Sequence, residues 1–465
     1  MKITLLTKDE FADRDETRPG EERERKQRKT GSRVRHTRAI QRDRSKRPPA
    51  APPAEAVTER LADLIHPATL AQLDHFRTLG LRERVLTLPV MVALVLSMIW
   101  RPVGGVAELQ RLLEREGLLW TAPTPVRRQS LSERLRTFPA GLFERVLASV
   151  LPVMHERWAA RQRPLPPELA WAQARYTAVL AADGSTLDAL LRQVGLLRDL
   201  PDHPLAGRML ALLDVCARLP RTLWYASDPQ AHDQRFWPQL AAAVPAGALL
   251  LLDLGFTNFA RYAELTAAQV TWLTRAKDNL AYTVERSLER TARVHDTLIW
   301  IGSGPDRQPV RLVEVLARGT WYRYLTNERD PDRLPPVCVV ALYSQRWRIE
   351  EACALVKRLL GLAYFWVGSD NGVQLQLWAT WLLYAVLVDL TDAVADRLQQ
   401  PFGALSLEMV YRSLYYFTTA YHRGDASDPI EYLAVHAVSL GVLKRVRKSR
   451  PTRFADLGLT FPAGP

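Results

Sequence analysis

The spacing of apolar residues changes twice along the chain. From Val57 to about Arg163 they recur at three and four positions, as in Leu61-Leu64-Ile65 and Leu109-Leu112-Leu113, which predicts helices. Pro164-Leu165-Pro166-Pro167 then reads as a linker, and short apolar runs take over. Tyr176 to Ala182, Met209 to Cys216, Arg221 to Ala226, Leu249 to Leu252 and Val270 to Thr274 predict strands, with a helix over His232 to Ala243. A second strand-patterned stretch runs from about Leu280 to Pro336. It contains Thr297 to Ile301, Val310 to Leu316 and Trp321 to Leu325. Helical spacing returns at Leu342 and continues through Gln374 to Leu398 and Leu407 to Tyr421. The expectation is an α/β chain, a sheet flanked by helical regions at both ends.

Composition sets the surroundings of that core. At 465 residues the chain is long enough for more than one domain, and 47% apolar with 24% charged residues is ordinary for a globular protein. Residues 1–55 read as a basic disordered tail, because the run from Arg23 to Arg47 has almost nothing to bury. Residues 56–165 form a helical region, 166–278 and 339–372 two parts of one core, 279–338 a β-rich insertion, and 373–465 a helical end with a basic cluster, Lys444 to Arg450. A net charge of +13 favours a polyanion as partner, nucleic acid before membrane. Leu131 to Leu135 and Leu142 to Leu147, joined across Pro139-Ala140-Gly141 with Arg127 and Arg128 upstream, fit either a helix-turn-helix-like DNA module or plain helical packing.

Three cysteines without a C-x-x-C pair suggest neither a zinc module nor a disulfide framework and fit a reducing cytosol. The N-terminus lacks the order of a secretory signal. No apolar run is expected to span a membrane; Val85 to Trp100 contains Pro89, and Leu377 to Val388 ends at Asp389.

Candidate chemistry falls at three places. Asp183 and Asp253 are expected at the C-terminal ends of apolar strands, where an open sheet exposes groups to a ligand. Each is followed closely by Gly, so each alone also fits an acid that starts a turn. The third place is the helix from Leu342 to Leu360. At about 100° per residue, Tyr343, Arg346, Glu350 and Lys357 project within an arc of roughly 60°. Ile349, Ala352, Cys353, Val356, Leu359 and Leu360 form the packing stripe beside them, and Glu351 points away. One carboxylate flanked by cations suits metal-assisted work on phosphate; an i,i+4 salt bridge between Arg346 and Glu350 is the structural alternative.

Taken together, Asp183-Gly184-Ser185, Asp253-x-Gly255-Phe256, the β-rich insertion and Tyr343-x2-Arg346-x3-Glu350-x6-Lys357 resemble a DDE transposase of the insertion-sequence-four type. The resemblance spans Tyr176 to Leu360. It implies a ribonuclease H-like mixed sheet in which Asp183, Asp253 and Glu350 hold two Mg²⁺ ions, with Mn²⁺ as a substitute. It also implies that Tyr343, Arg346 and Lys357 grip phosphates at a transposon end, and that an aromatic residue of the insertion holds a flipped base. Trp321 is the first choice for that residue and Trp300 the second, each also suited to a β core. Double-stranded DNA, a synaptic homodimer and a cytoplasmic location follow from the same resemblance. The rival readings are a DNA-binding protein that has lost cleavage and a nuclease without strand transfer.

Overall fold

The structure, a computed structural model, describes residues 55–81, 83–101, 103, 106–188, 205–317, 319–360 and 369–445. The basic N-terminal run and Val446 to Arg450 of the closing basic cluster lie outside the described residues.

Nine strands form one mixed sheet in the order β3-β2-β1-β4-β5-β9-β8-β7-β6. β1 (Val179–Asp188), β2 (Leu205–Asp214) and β3 (Pro220–Ala226) make an antiparallel meander. β4 (Leu249–Leu252) and β5 (Thr271–Arg275) then add in parallel beside β1. The stretch expected to be an insertion holds β6 (Tyr282–Arg290), β7 (Val294–Ile301), β8 (Gln308–Ala317) and β9 (Thr320–Thr326), of which β6 is not among the three strands read from the sequence. It continues the same sheet, because β9 pairs antiparallel with β5.

Alternation along the central strands splits the core in two, since successive side chains point to opposite faces. Val179 and Ala181 of β1, with Leu249 and Leu251 of β4, face one cluster. Leu180, Ala182, Leu250 and Leu252 face the other, covered by Trp237 and Leu240 of α8 (Trp237–Ala243) and Tyr262 and Leu265 of α9 (Phe259–Ala267). Strands buried on both faces read as unbroken apolar runs, which explains the four consecutive leucines of β4.

Helices from both ends of the chain cover the first face. α1 (Glu55–Leu70), α2 (Leu73–Thr78), α3 (Leu88–Trp100), α4 (Val106–Arg115), α5 (Arg128–Thr137), α6 (Gly141–Ala160) and the short α7 (Pro167–Gln173) precede the sheet. α10 (Pro336–Ser344), α11 (Trp347–Arg358), α12 (Asp370–Arg397), α13 (Leu407–His422) and α14 (Pro429–Val435) follow it. The expected linker is fastened down: Arg161 and Arg163 just before it pair with Asp389 and Asp392 of α12 at 2.5 to 2.9 Å. Asn371 of α12 also clamps the α5–α6 turn, donating to the carbonyls of Arg136 and Phe138 and accepting from the Ala140 amide.

The membrane expectation needs one correction. α12 is 28 residues long, and an 18-residue window of it has a mean hydropathy of 1.4, enough by length and composition to cross a membrane. Asp389 and Asp392 do not break that helix, because their charges meet Arg161 and Arg163 just before the linker. Of the apolar window, 78% is buried inside the protein, as in a core helix.

Candidate functional site

The two aspartates are brought together by strand register. Parallel pairing of β1 and β4 ends at Ala182 opposite Leu252, so the next residue on each strand is an acid, Asp183 and Asp253. Neighbouring strands lie about 4.8 Å apart, which makes the two positions adjacent. The sequence expectation for Asp183 is corrected here. Its strand does not end there but runs on to Asp188, paired only with β2. Asp253 does end β4 and opens a 3-10 turn, Leu254–Phe256, its carbonyl accepting from the Phe256 amide. By alternation from Val179 and Ala181, Asp183 is on the face that carries α11.

α11 is held on that face by Ile349, Ala352, Cys353 and Val356, all buried in the same cluster as Ala181 and Leu251. Its first turn carries Glu350. The expected single helix is broken: α10 ends at Ser344, and Gln345 and Arg346 form a tight turn before Trp347. Tyr343 therefore belongs to the preceding helix. It is buried beside Arg346, and burial pushes its hydroxyl up to about 12.

Arg346 ties the centre together. One of its nitrogens, Nη2, donates to Glu350 Oε1 at 2.7 Å and lies 3.5 Å from Asp253 Oδ1. Asp183 is pushed up to about 6, first by burial and then by the negative charges of Glu350, Asp253 and Asp233, with Arg346 opposing. The i,i+4 salt bridge of the structural alternative thus exists, but it is part of a larger acidic cluster. Lys357, near the end of α11, donates to the Thr186 carbonyl at 2.6 Å and secures the helix against the overhanging part of β1.

Two groups at the site were not singled out from the sequence. Asp233 packs against Gly184, where a Cβ would overlap its carboxylate, and it accepts from Arg208 Nε at 2.6 Å. Arg208 also donates to the Thr186 hydroxyl at 3.2 Å. Gly184 is needed for that close approach rather than for a turn. The other group is Trp347, beside Arg346 and 58% exposed. Its place outside the apolar stripe, three residues before Glu350, is the signal the sequence carries.

Trp321 does not join the cluster. It is exposed near the start of β9, with its ring stacked on His295 at 4.4 Å. Trp300, half-buried in β7, lies under the Arg307 guanidinium at 4.7 Å. On the helical side, α5 and α6 are bent by 69° and Arg127 and Arg128 are exposed, which leaves both the DNA-module and the packing readings open.

The donor chemistry suits a hard cation: three carboxylates and no sulfur ligand. Yet among the described residues no group of three or more His, Cys, Asp or Glu stands arranged to hold a metal ion. The Arg346 guanidinium contacts two of the three acids, Glu350 and Asp253.

Comparison with known proteins agrees with this part of the chain. Residues 208–386 match the family model described as a transposase DDE domain. That span includes Asp253 and Glu350 and starts beyond Asp183. Putative transposase y4zB of Sinorhizobium fredii (strain NBRC 101917 / NGR234) is 30% identical over 193 residues, 39% of this chain. The chain spans about half that relative's length, 52%. Among solved structures, piggyBac transposase in its synaptic complex with hairpin DNA is similar at a TM-score of 0.39 and 12% identity, over 84% of each chain.

Proposed function

We propose that the protein is a DNA transposase of the insertion-sequence-four type, which cleaves the ends of its element and joins them to target DNA. One observation carries the reading: Asp183 and Asp253 stand in register on adjacent strands, and α11 brings Glu350 to the same guanidinium as Asp253. The match to the transposase DDE domain supports it. The antiparallel β1–β2–β3 meander with parallel β4 and β5 supports a ribonuclease H-like core.

Asp183, Asp253 and Glu350 would hold Mg²⁺, or Mn²⁺ in its place; when bound, such ions supply activation of the attacking oxygen and stabilisation of the leaving one. The residues of this chain do the rest. Burial and mutual repulsion of the acids give the centre its affinity for positive charge. Arg346 presents a planar donor set suited to a phosphodiester, and Lys357 adds a point charge on the same helix. The exposed ring of Trp347 offers a stacking surface for a base next to the reacting phosphate. We assign that role to Trp347, which packs beside Arg346, ahead of Trp321, whose ring stacks on His295 in the insertion. A homodimer on paired ends and a cytoplasmic location belong to the same proposal.

The test uses a duplex carrying the inverted repeats that flank the reading frame, with Mg²⁺. The parent protein nicks the ends and yields joined product, while Asp253→Asn binds the duplex without cutting it. Cleavage by Asp253→Asn at the parent's rate would overturn the site. Nicking without joined product would mark a nuclease, and binding alone a protein that has lost cleavage.

A further inference from the structure

We infer that Arg346 is an internal counter-cation, occupying the carboxylate centre in the metal-free protein and yielding it when a divalent cation binds. This rests on the proposed function for the identity of the centre, and goes beyond it in giving the arginine a competing role.

The geometry points to competition. A single nitrogen of Arg346 serves both Glu350 and Asp253, at 2.7 and 3.5 Å. Glu350 Oε1 accepts from that nitrogen and Asp253 Oδ1 pairs with it by charge, so a cation at the same two oxygens competes with the guanidinium. The arginine is the enclosed member, 7% exposed, whereas Glu350 and Asp253 are 33% and 43% exposed, so an ion reaches the acids from solvent.

The arginine's position is also poorly satisfied. Its Nε is buried with no hydrogen-bond partner, a cost of the kind that native cores avoid. Glu350 holds it by a charge-assisted hydrogen bond at 2.7 Å, and Asp253 by charge alone at 3.5 Å. Its backbone lies in the turn between α10 and α11, and its guanidinium sits beside the Tyr343 and Trp347 rings at 5.8 and 5.7 Å. Rotation towards the exposed Trp347 ring keeps a cation–π partner while releasing both acids. The released guanidinium is then available to a phosphate oxygen. Cation binding and phosphate binding are thus linked through one side chain, and each favours the other.

The experiment is a titration of the metal-free full chain with Mn²⁺, followed by calorimetry, for the parent and Arg346→Gln. If the guanidinium holds the centre about nine-tenths of the time, the variant binds Mn²⁺ about tenfold more tightly. Melting in EDTA gives a second readout: the variant melts below the parent, and Mn²⁺ raises its melting temperature by more. Equal or weaker Mn²⁺ affinity in the variant overturns the inference. Should Arg346→Gln not fold, Arg346→Lys, whose single ammonium lacks the fork, must show the same direction of change or the inference fails. Absence of Mn²⁺ uptake by both proteins would overturn the cation site itself, and the proposed function with it.

Discussion

Two of the buried arginines, Arg311 and Arg346, meet their acids in opposite ways. In the insertion, Arg311 of β8 grips Asp296 of β7 with two donors at 2.6 and 2.7 Å and gives a third to the Leu334 carbonyl at 2.7 Å. The pair is 0% and 1% exposed, one cation to one acid. At the carboxylate centre, Arg346 faces two acids with one nitrogen, has a third acid in its field, and leaves Nε unpartnered. The first arrangement is satisfied and has no room for anything else. The second carries more negative charge than its arginine can balance. Imbalance at Arg346 against balance at Arg311, rather than the presence of an ion pair, is the physical difference between the two places.

The contrast can be broken most sharply at Arg311. Replacing it with Met leaves Asp296 buried and uncompensated, so a loss of about 3–5 kcal/mol is expected. Denaturant unfolding measures it, and a loss below about 1 kcal/mol would mean that the insertion tolerates an unpaired acid as readily as the centre does.

Asp183 gives the next effect, with the opposite sign. Its carboxyl titrates at about 6 in the fold against 3.8 normally, because burial and the neighbouring acids disfavour its charge. Between those values the folded chain holds a proton that the unfolded chain has lost. Stability therefore falls as pH rises from 3.8 to 6, the cost is complete above 6, and it is absent below 3.8. Asp183→Asn removes the cost, so the metal-free variant gains at most about 3 kcal/mol at neutral pH. Thermal melts in EDTA at pH 7.5 and pH 4 check this; a gain that does not shrink at the lower pH would contradict the electrostatic cause.

The smallest effect is expected at Glu351, the neighbour that points elsewhere. It is 62% exposed and pairs with Arg218 at 3.2 Å. Glu351→Gln should change stability by less than about 1 kcal/mol and leave cleavage at the parent level. A large loss of cleavage would show that the two adjacent acids are not distinguished as their directions imply.

Much of this was legible in the residues. The strand runs, the four leucines of β4, the helices on either side and the spacing of Arg346, Glu350 and Lys357 all follow local rules of period and burial. The break between Ser344 and Trp347 was not, because two residues in helical backbone angles leave no mark on an apolar pattern. Nor was the length of β1. Gly184 after Asp183 looked like a turn, whereas it is small because Asp233, 49 positions on, packs against it. Tyr343 was expected to offer its hydroxyl to a phosphate and is instead buried against Tyr324.

The sequence by itself determined most of the strand and helix runs, though not β6, the end of β1 or the break before α11, and it determined which acids and cations are available for chemistry, because period and side-chain type are local properties. Only the tertiary structure decided that Asp183 and Asp253 fall in register, that Arg346 reaches two acids, that the strands after β5 extend the main sheet, and that the Trp347 ring is left exposed. Those facts depend on strand pairing and on how a helix seats against a sheet, and both are set by contacts between residues far apart in the chain.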